Sequence, residues 1–193
     1  DKNKPVARER VVKLKLGNAE RNRFVPGLDD LIDGPITVEL SRIDDQRQAA
    51  AIDLSSATLT VPWIGWSKGQ GISAKATFEA LENDGQTTID KFVLDGQGFG
   101  AAGALVVDKR GLVTADLKRM RLAPGDDYAL VIRQDKGVYD VAVSGKSADV
   151  RSLISVLKSP GGGEGSGEGG KKTDIRVKGQ IDRVIGFGDE VLS

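Results

Sequence analysis

The sequence has no cysteine and no histidine, and among its 193 residues there are only one methionine, two tryptophans, two tyrosines and five phenylalanines. Without cysteine there is neither a disulfide framework nor a thiolate metal site, and nothing about the redox compartment follows. Without histidine the chain lacks the commonest general base, the commonest metal ligand and the usual partner of a Ser nucleophile. The composition therefore argues against an enzyme, and the residues suggest no catalytic, metal or cofactor-binding set. Lys plus Arg total 28 and Asp plus Glu total 28, so no net field steers the chain to a phosphate backbone, and nucleic acid is not an expected partner. No apolar run approaches the roughly 20 residues of a membrane-spanning helix. No signal peptide is visible, and the sequence opens on Asp1 without an initiator Met, so it reads as a piece of a longer protein.

What the sequence does contain is alternation. Val12, Leu14 and Leu16 alternate with Lys13 and Lys15; Ile36, Val38 and Leu40 with Thr37 and Glu39; Ile72, Ala74, Ala76 and Phe78 with Ser73, Lys75 and Thr77. Period two over short runs separated by Gly, Asp and Asn is the mark of half-buried antiparallel strands. Further strands are predicted over 52–59, 89–94, 103–107, 113–117, 128–132 and 139–143. The links at 108–111 and 135–137 are hairpin-length and end in Gly, so a meander is expected from about 103 to 143.

Residues 21–31 read as a loop with a helical turn. Residues 147–158 read as a single short helix, with Ser147 as N-cap and Val150, Leu153, Ile154 and Leu157 on one face. After Pro160, residues 161–170 contain only Gly, Glu and Ser, a composition that cannot bury apolar surface and reads as a flexible linker. The predicted organisation is a β domain over 1–160, a linker over 161–172, and a C-terminal strand segment over 173–193 that either adds edge strands or starts a next unit. The predicted fold class is mainly β: an antiparallel, strongly curved multi-stranded sheet, a groove or an open barrel, with one short α-helix.

Four features invite a chemical reading. Gly98-Phe99-Gly100-Ala101-Ala102-Gly103 spells a dinucleotide fingerprint, but that motif must open a helix. Ala104 to Asp108 reads as a strand, so the glycines are expected to serve a bend or a close crossing of strands. Asp126 and Asp127 after Pro124-Gly125, and the pair Asp29 and Asp30, lack Ca-loop spacing and a partner carboxylate; turn hydrogen bonding is their ordinary role. Trp63 and Trp66 beside Pro62 are either one end of the core or a contact surface for membrane or sugar. Finally, one amphipathic helix cannot cover nine or ten strands. The apolar alternates Val38, Leu40, Phe78, Leu105, Val107, Leu130, Ile132, Val141 and Val143 thus either pack in a closed core or line a groove for apolar matter.

Three blocks carry a family resemblance: VPWIGWSKGQGISAKATF at 61–78, DKFVLDGQGFGAAGALVVDKRGLV at 90–113, and RLAPGDDYALVIRQDKGVYDVAVSGKSADVRSLI at 121–154. Their order, with Trp66 to Gly71 as an entry turn, Leu122 to Asp127 as a strand start and Gly137 to Arg151 as an exit, resembles the repetitive β region of AsmA-like, YhdP-type bacterial envelope proteins. Ala148 departs from the pattern, where a bulkier apolar residue is usual. The resemblance implies a periplasmic location and a parent anchored in the inner membrane. It further implies adjoining repeats of the same parent chain as partners, and a groove that shields phospholipid acyl chains in outer-membrane lipid homeostasis. It supplies no catalytic residue, no cofactor and no defined lipid contacts. The alternative is a non-catalytic scaffold module that assembles envelope partners through its strand edges.

Overall fold

The computed structural model describes residues 11–24, 31–61, 65–109, 111–136, 138–158, 174–186 and 191–192. The strands are β1 (Val11–Leu16), β2 (Ile32–Asp33), β3 (Ile36–Arg42), β4 (Arg47–Asp53), β5 (Thr58–Val61), β6 (Trp66–Lys68), β7 (Ala74–Asn83), β8 (Gln86–Gly96), β9 (Phe99–Asp108), β10 (Gly111–Arg121), β11 (Asp127–Asp135), β12 (Val138–Asp149), β13 (Asp174–Ile185) and β14 (Val191–Leu192). Helices α1 (Asn18–Phe24) and α2 (Arg151–Lys158) follow β1 and β12. Eleven strands form one sheet in the order β1-β3-β4-β7-β8-β9-β10-β11-β12-β13-β14, and β2, β5 and β6 form a second, three-stranded sheet.

The mainly β expectation holds, and β9 to β12 form the expected meander. Three finer expectations are corrected. The large sheet is mixed, because β12 and β13 run parallel. A parallel pair needs a crossover of a dozen residues or more; residues 150–173, which include α2 and the Gly/Glu tract, are that crossover. Residues 174–185 thus lie beside β12 in the same sheet. The sheet is also neither closed nor strongly curled: among the described residues β1 pairs only with β3, so no ladder joins the two edges. The single predicted strand over 52–59 is in truth two, because Asp53 Oδ1 accepts from the Ser55 amide (2.9 Å) and Leu54 N–H donates to the Ala74 carbonyl (2.9 Å). The chain therefore leaves the large sheet at residue 54, builds β5 and β6, and returns at residue 74.

The helices also differ from expectation. Among the described residues there are two. Helix α1 starts where Glu20 Oε2 accepts from the Gly17 amide (3.0 Å), a reciprocal cap, and α2 starts at Arg151 rather than Ser147. Ser147 and Asp149 still belong to β12; the Ser147 hydroxyl donates to the Gly125 carbonyl, and Asp149 Oδ1 accepts from the Arg151 amide (3.0 Å).

The glycines of the 98–103 motif open strand β9, not a helix, so the geometry a pyrophosphate requires is lacking. Gly103 instead permits close approach: a Cβ there would lie 2.1 Å from the Asp116 carbonyl oxygen on β10. Gly96 does the same for a ring, since its Cβ would lie 2.1 Å from Phe99 Cζ.

Candidate functional site: a half-open apolar face

Residues paired across a ladder share a face, so the registers define which side chains lie together. One row runs Leu14, Val38, Ile52, Ala76, Leu94, Ala101, Met120, Tyr128, Gly145 and Ile181 from β1 to β13. The row two residues along runs Val12, Leu40, Ala50 and Phe78, then Phe92, Gly103, Leu117, Leu130, Val143 and Gly179. A third continues Ala80, Ile89, Leu105, Ala115, Ile132, Val141 and Val177. With strands about 4.8 Å apart, ten strands give apolar rows of about 43 Å.

All nine sequence-predicted lining residues lie on this one face: Val38, Leu40, Phe78, Leu105, Val107, Leu130, Ile132, Val141 and Val143. Each is half-buried. At the edges the face is open, with Val12 50% and Val177 67% exposed. Reading by runs missed Ile89, Phe92, Ala115 and Leu117, although the same period of two would have found them. The opposite face is polar, carrying the Lys13–Glu39 (2.7 Å), Lys91–Glu79 (2.6 Å) and Arg176–Asp140 (3.8 Å) ion pairs.

One end of the apolar face is covered. The three-stranded sheet lays Leu54, Ala57 and Leu59 on Ile36, Ala74, Ala76 and Phe99, forming one buried cluster. A second cluster, Ala101, Ala115, Leu117 and Met120, lies within the sheet face itself, and Phe92 and Leu94 pack against both. The covered and open parts are therefore one surface.

Trp66, predicted as either core or contact surface, packs against the first cluster edge-on to Phe99 (centroids 5.0 Å, 65° between planes), and its Nε1–H donates to the Leu122 carbonyl (2.9 Å). Trp63 lies outside the described residues, as do Asp29 and Asp30. Lys68, the lysine within the Trp66 to Gly71 entry turn, is 2% exposed. Its Nζ donates to the carbonyls of Leu54 (2.6 Å), Ala57 (2.6 Å) and Ser55 (3.3 Å). Burial pushes its pKa below the usual lysine value, with the Asp53 charge opposing. A lysine reads as surface in any sequence scan, and only the cage of carbonyls accounts for its position.

Asp126 is also buried. Its Oδ2 accepts from the Leu122 (3.0 Å) and Ala123 (2.8 Å) amides and its Oδ1 from the Asp149 amide (2.8 Å), so it ties the β10–β11 turn to the end of β12. These are the turn bonds expected for an Asp after Pro-Gly, extended by one tertiary bond. Asp127 is exposed and lies 3.8 Å from Lys146. Burial, with a smaller push from Asp126, raises the Tyr128 hydroxyl to about 12, so it stays neutral at any physiological pH. Among the described residues no group of three or more Asp or Glu is placed to hold a metal ion.

No family model, curated protein or solved structure matches the chain. The AsmA-like resemblance therefore stands on the quoted sequence blocks alone.

Proposed function

We propose that the apolar face binds the acyl chains of phospholipid, and that the chain is a non-enzymatic β segment of a periplasmic AsmA-like protein whose parent is anchored in the inner membrane. The observation that carries this reading is the set of apolar rows across the sheet, in which the nine lining residues stay half-buried beside buried Ala50, Ala101, Ala115, Leu117 and Met120, and Val12 and Val177 near the edges are exposed. A core covered on that side would bury the nine lining side chains almost fully, and an apolar face left partly in water calls for a ligand or partner. Each methylene removed from water contributes about 0.8 kcal/mol, so an acyl chain along a row is held reversibly without any covalent step. Adjoining repeats of the parent would extend the face at its edges.

The test is a titration with a fluorescent fatty acid against the wild type and a Val143→Asp variant. Saturable binding that the variant loses supports the reading; equal signal from both, or none from either, counts against it. A second reading, a scaffold that recruits envelope partners by strand addition, is favoured by one observation: among the described residues β1 pairs only with β3, and Val11 is 57% exposed. Under that reading Val143→Asp leaves partner capture intact while a proline at Val12 abolishes it.

A further inference from the structure

We propose that Tyr128 is the polar anchor of the apolar face: its hydroxyl donates to the carbonyl oxygen of an acyl ester, which sets the head of the chain at the β10–β11 turn and its tail over Leu130 and Ile132. This rests on the acyl-chain reading above and adds to it a direction for the chain and a preference for an ester over a free acid.

Tyr128 stands apart from its neighbours. In the three rows that cross the sheet it is the only side chain with a hydrogen-bond donor. Its partners across the ladders are Met120 on β10 and Gly145 on β12, and it packs against the cluster of Ala101, Ala115, Leu117 and Met120. A phenol or indole set among apolar side chains ordinarily finds a partner within the protein. Tyr139, two residues from Val141 on the same face, does so by donating to the Leu112 carbonyl (3.3 Å). Trp66 does so through the Leu122 carbonyl (2.9 Å). The Tyr128 hydroxyl has no hydrogen-bond partner among the described residues, and it is not one of their fully buried unpartnered atoms, so it still meets solvent. A lone donor on an apolar surface suits a ligand that brings one acceptor and a long apolar tail.

The groups on either side of Tyr128 decide which acceptor and which direction. Towards the β10–β11 turn lies Asp126, whose carboxylate accepts from the Leu122, Ala123 and Asp149 amides. Burial, and behind it the Asp126 charge, keeps the Tyr128 hydroxyl protonated and therefore a donor. The same negative charge opposes a carboxylate placed at the hydroxyl and leaves a neutral ester carbonyl unopposed. The other way along the strand, Leu130 and Val143 are followed by Ile132 and Val141. From Tyr128 to Ile132 that path is about 14 Å at 3.4 Å per residue, apolar throughout, and it is where the tail lies.

The test compares the wild type with Tyr128→Phe, which keeps the ring and removes the hydroxyl. Calorimetric titration uses palmitoyl lysophosphatidylcholine, its hexadecyl ether analogue and palmitate, each below its micelle concentration. The anchor predicts that the wild type binds the ester about fivefold more tightly than the ether, the size of one net hydrogen bond, and that the variant binds both with the ether's affinity. It also predicts a lower carbonyl stretching frequency for isotope-labelled ester on the wild type than on the variant, a difference that a packing role of the hydroxyl does not produce. Ester and ether bound alike by the wild type, or an ester preference that persists in the variant, overturns the anchor and leaves the acyl-chain reading standing. Palmitate bound more tightly than the ester, with the advantage lost in the variant, assigns the hydroxyl to a free carboxylate and overturns the ester preference. If none of the three binds, the acyl-chain reading fails and the anchor with it.

Discussion

The two ends of the apolar face are built from the same kinds of side chain, yet they differ in what lies over them. At the covered end Ile36, Ala74, Ala76 and Phe99 are each no more than 5% exposed, because Leu54, Ala57 and Leu59 sit on them. At the open end Leu105, Val107, Ile132 and Val141 occupy equivalent inward positions and are only partly buried. The first end is a core in the ordinary sense. The second has the composition of a core, and among the described residues no second sheet lies over it; that difference is what sets the proposed acyl-chain surface apart from the core.

Substitutions sharpen this contrast. Phe99→Ala removes a ring that packs on Gly96, Trp66 and the three-stranded sheet, and is expected to cost about 3–5 kcal/mol in urea unfolding. Leu105→Ala on the open end is expected to cost about 1–2 kcal/mol, since its side chain is only partly buried. Equal losses at the two sites would mean that the open end is covered in solution. Lys68→Met leaves the Ala57 carbonyl without its Nζ donor, while Leu54 O keeps the Ala57 amide and Ser55 O the Gly71 amide, and is expected to cost about 1–3 kcal/mol, with the loss confined to the covered end as read by amide exchange. Asp126→Asn, which keeps the shape but weakens charge-assisted bonds to three amides, is expected to lower stability by about 1–2 kcal/mol. A neutral result there would show the β10–β11 turn to be held by its backbone alone.

The smallest expected effect is a pH dependence. The Arg151 guanidinium beside Asp149, helped by the Arg151 amide, holds the Asp149 carboxyl below the usual range against the opposing effect of burial. A carboxylate depressed in the fold contributes stability that is complete above its unfolded pKa of about 4 and is lost as pH falls through the lower folded value. Asp149→Asn should therefore flatten the acid limb of a stability profile below about pH 4 and leave the profile near pH 7 parallel to that of the wild type. An unchanged acid limb would assign acid unfolding to other carboxylates.

The pattern of what the sequence revealed follows the same division. The nine lining residues were legible because period two within a strand and short turns between strands together fix which side chains share a face. The three-stranded sheet was not legible, since 52–59 alternates like one strand and only the Asp53–Ser55 turn bond breaks it. Lys68 was invisible because its partners are backbone carbonyls, which carry no sequence signal. The return of 174–185 to the sheet was one of two alternatives the sequence left open, and its parallel direction was not legible, because only the length of the connection from β12, not its residue pattern, permits a crossover.

The central claim is that the open apolar rows hold acyl chains, and native mass spectrometry of the purified, folded chain with identification of any released lipid tests it most directly. The account predicts phospholipid bound at near-stoichiometric amounts in the wild type and absent from Val143→Asp. A folded wild-type monomer that carries no lipid, and takes none up from added phospholipid, would contradict it.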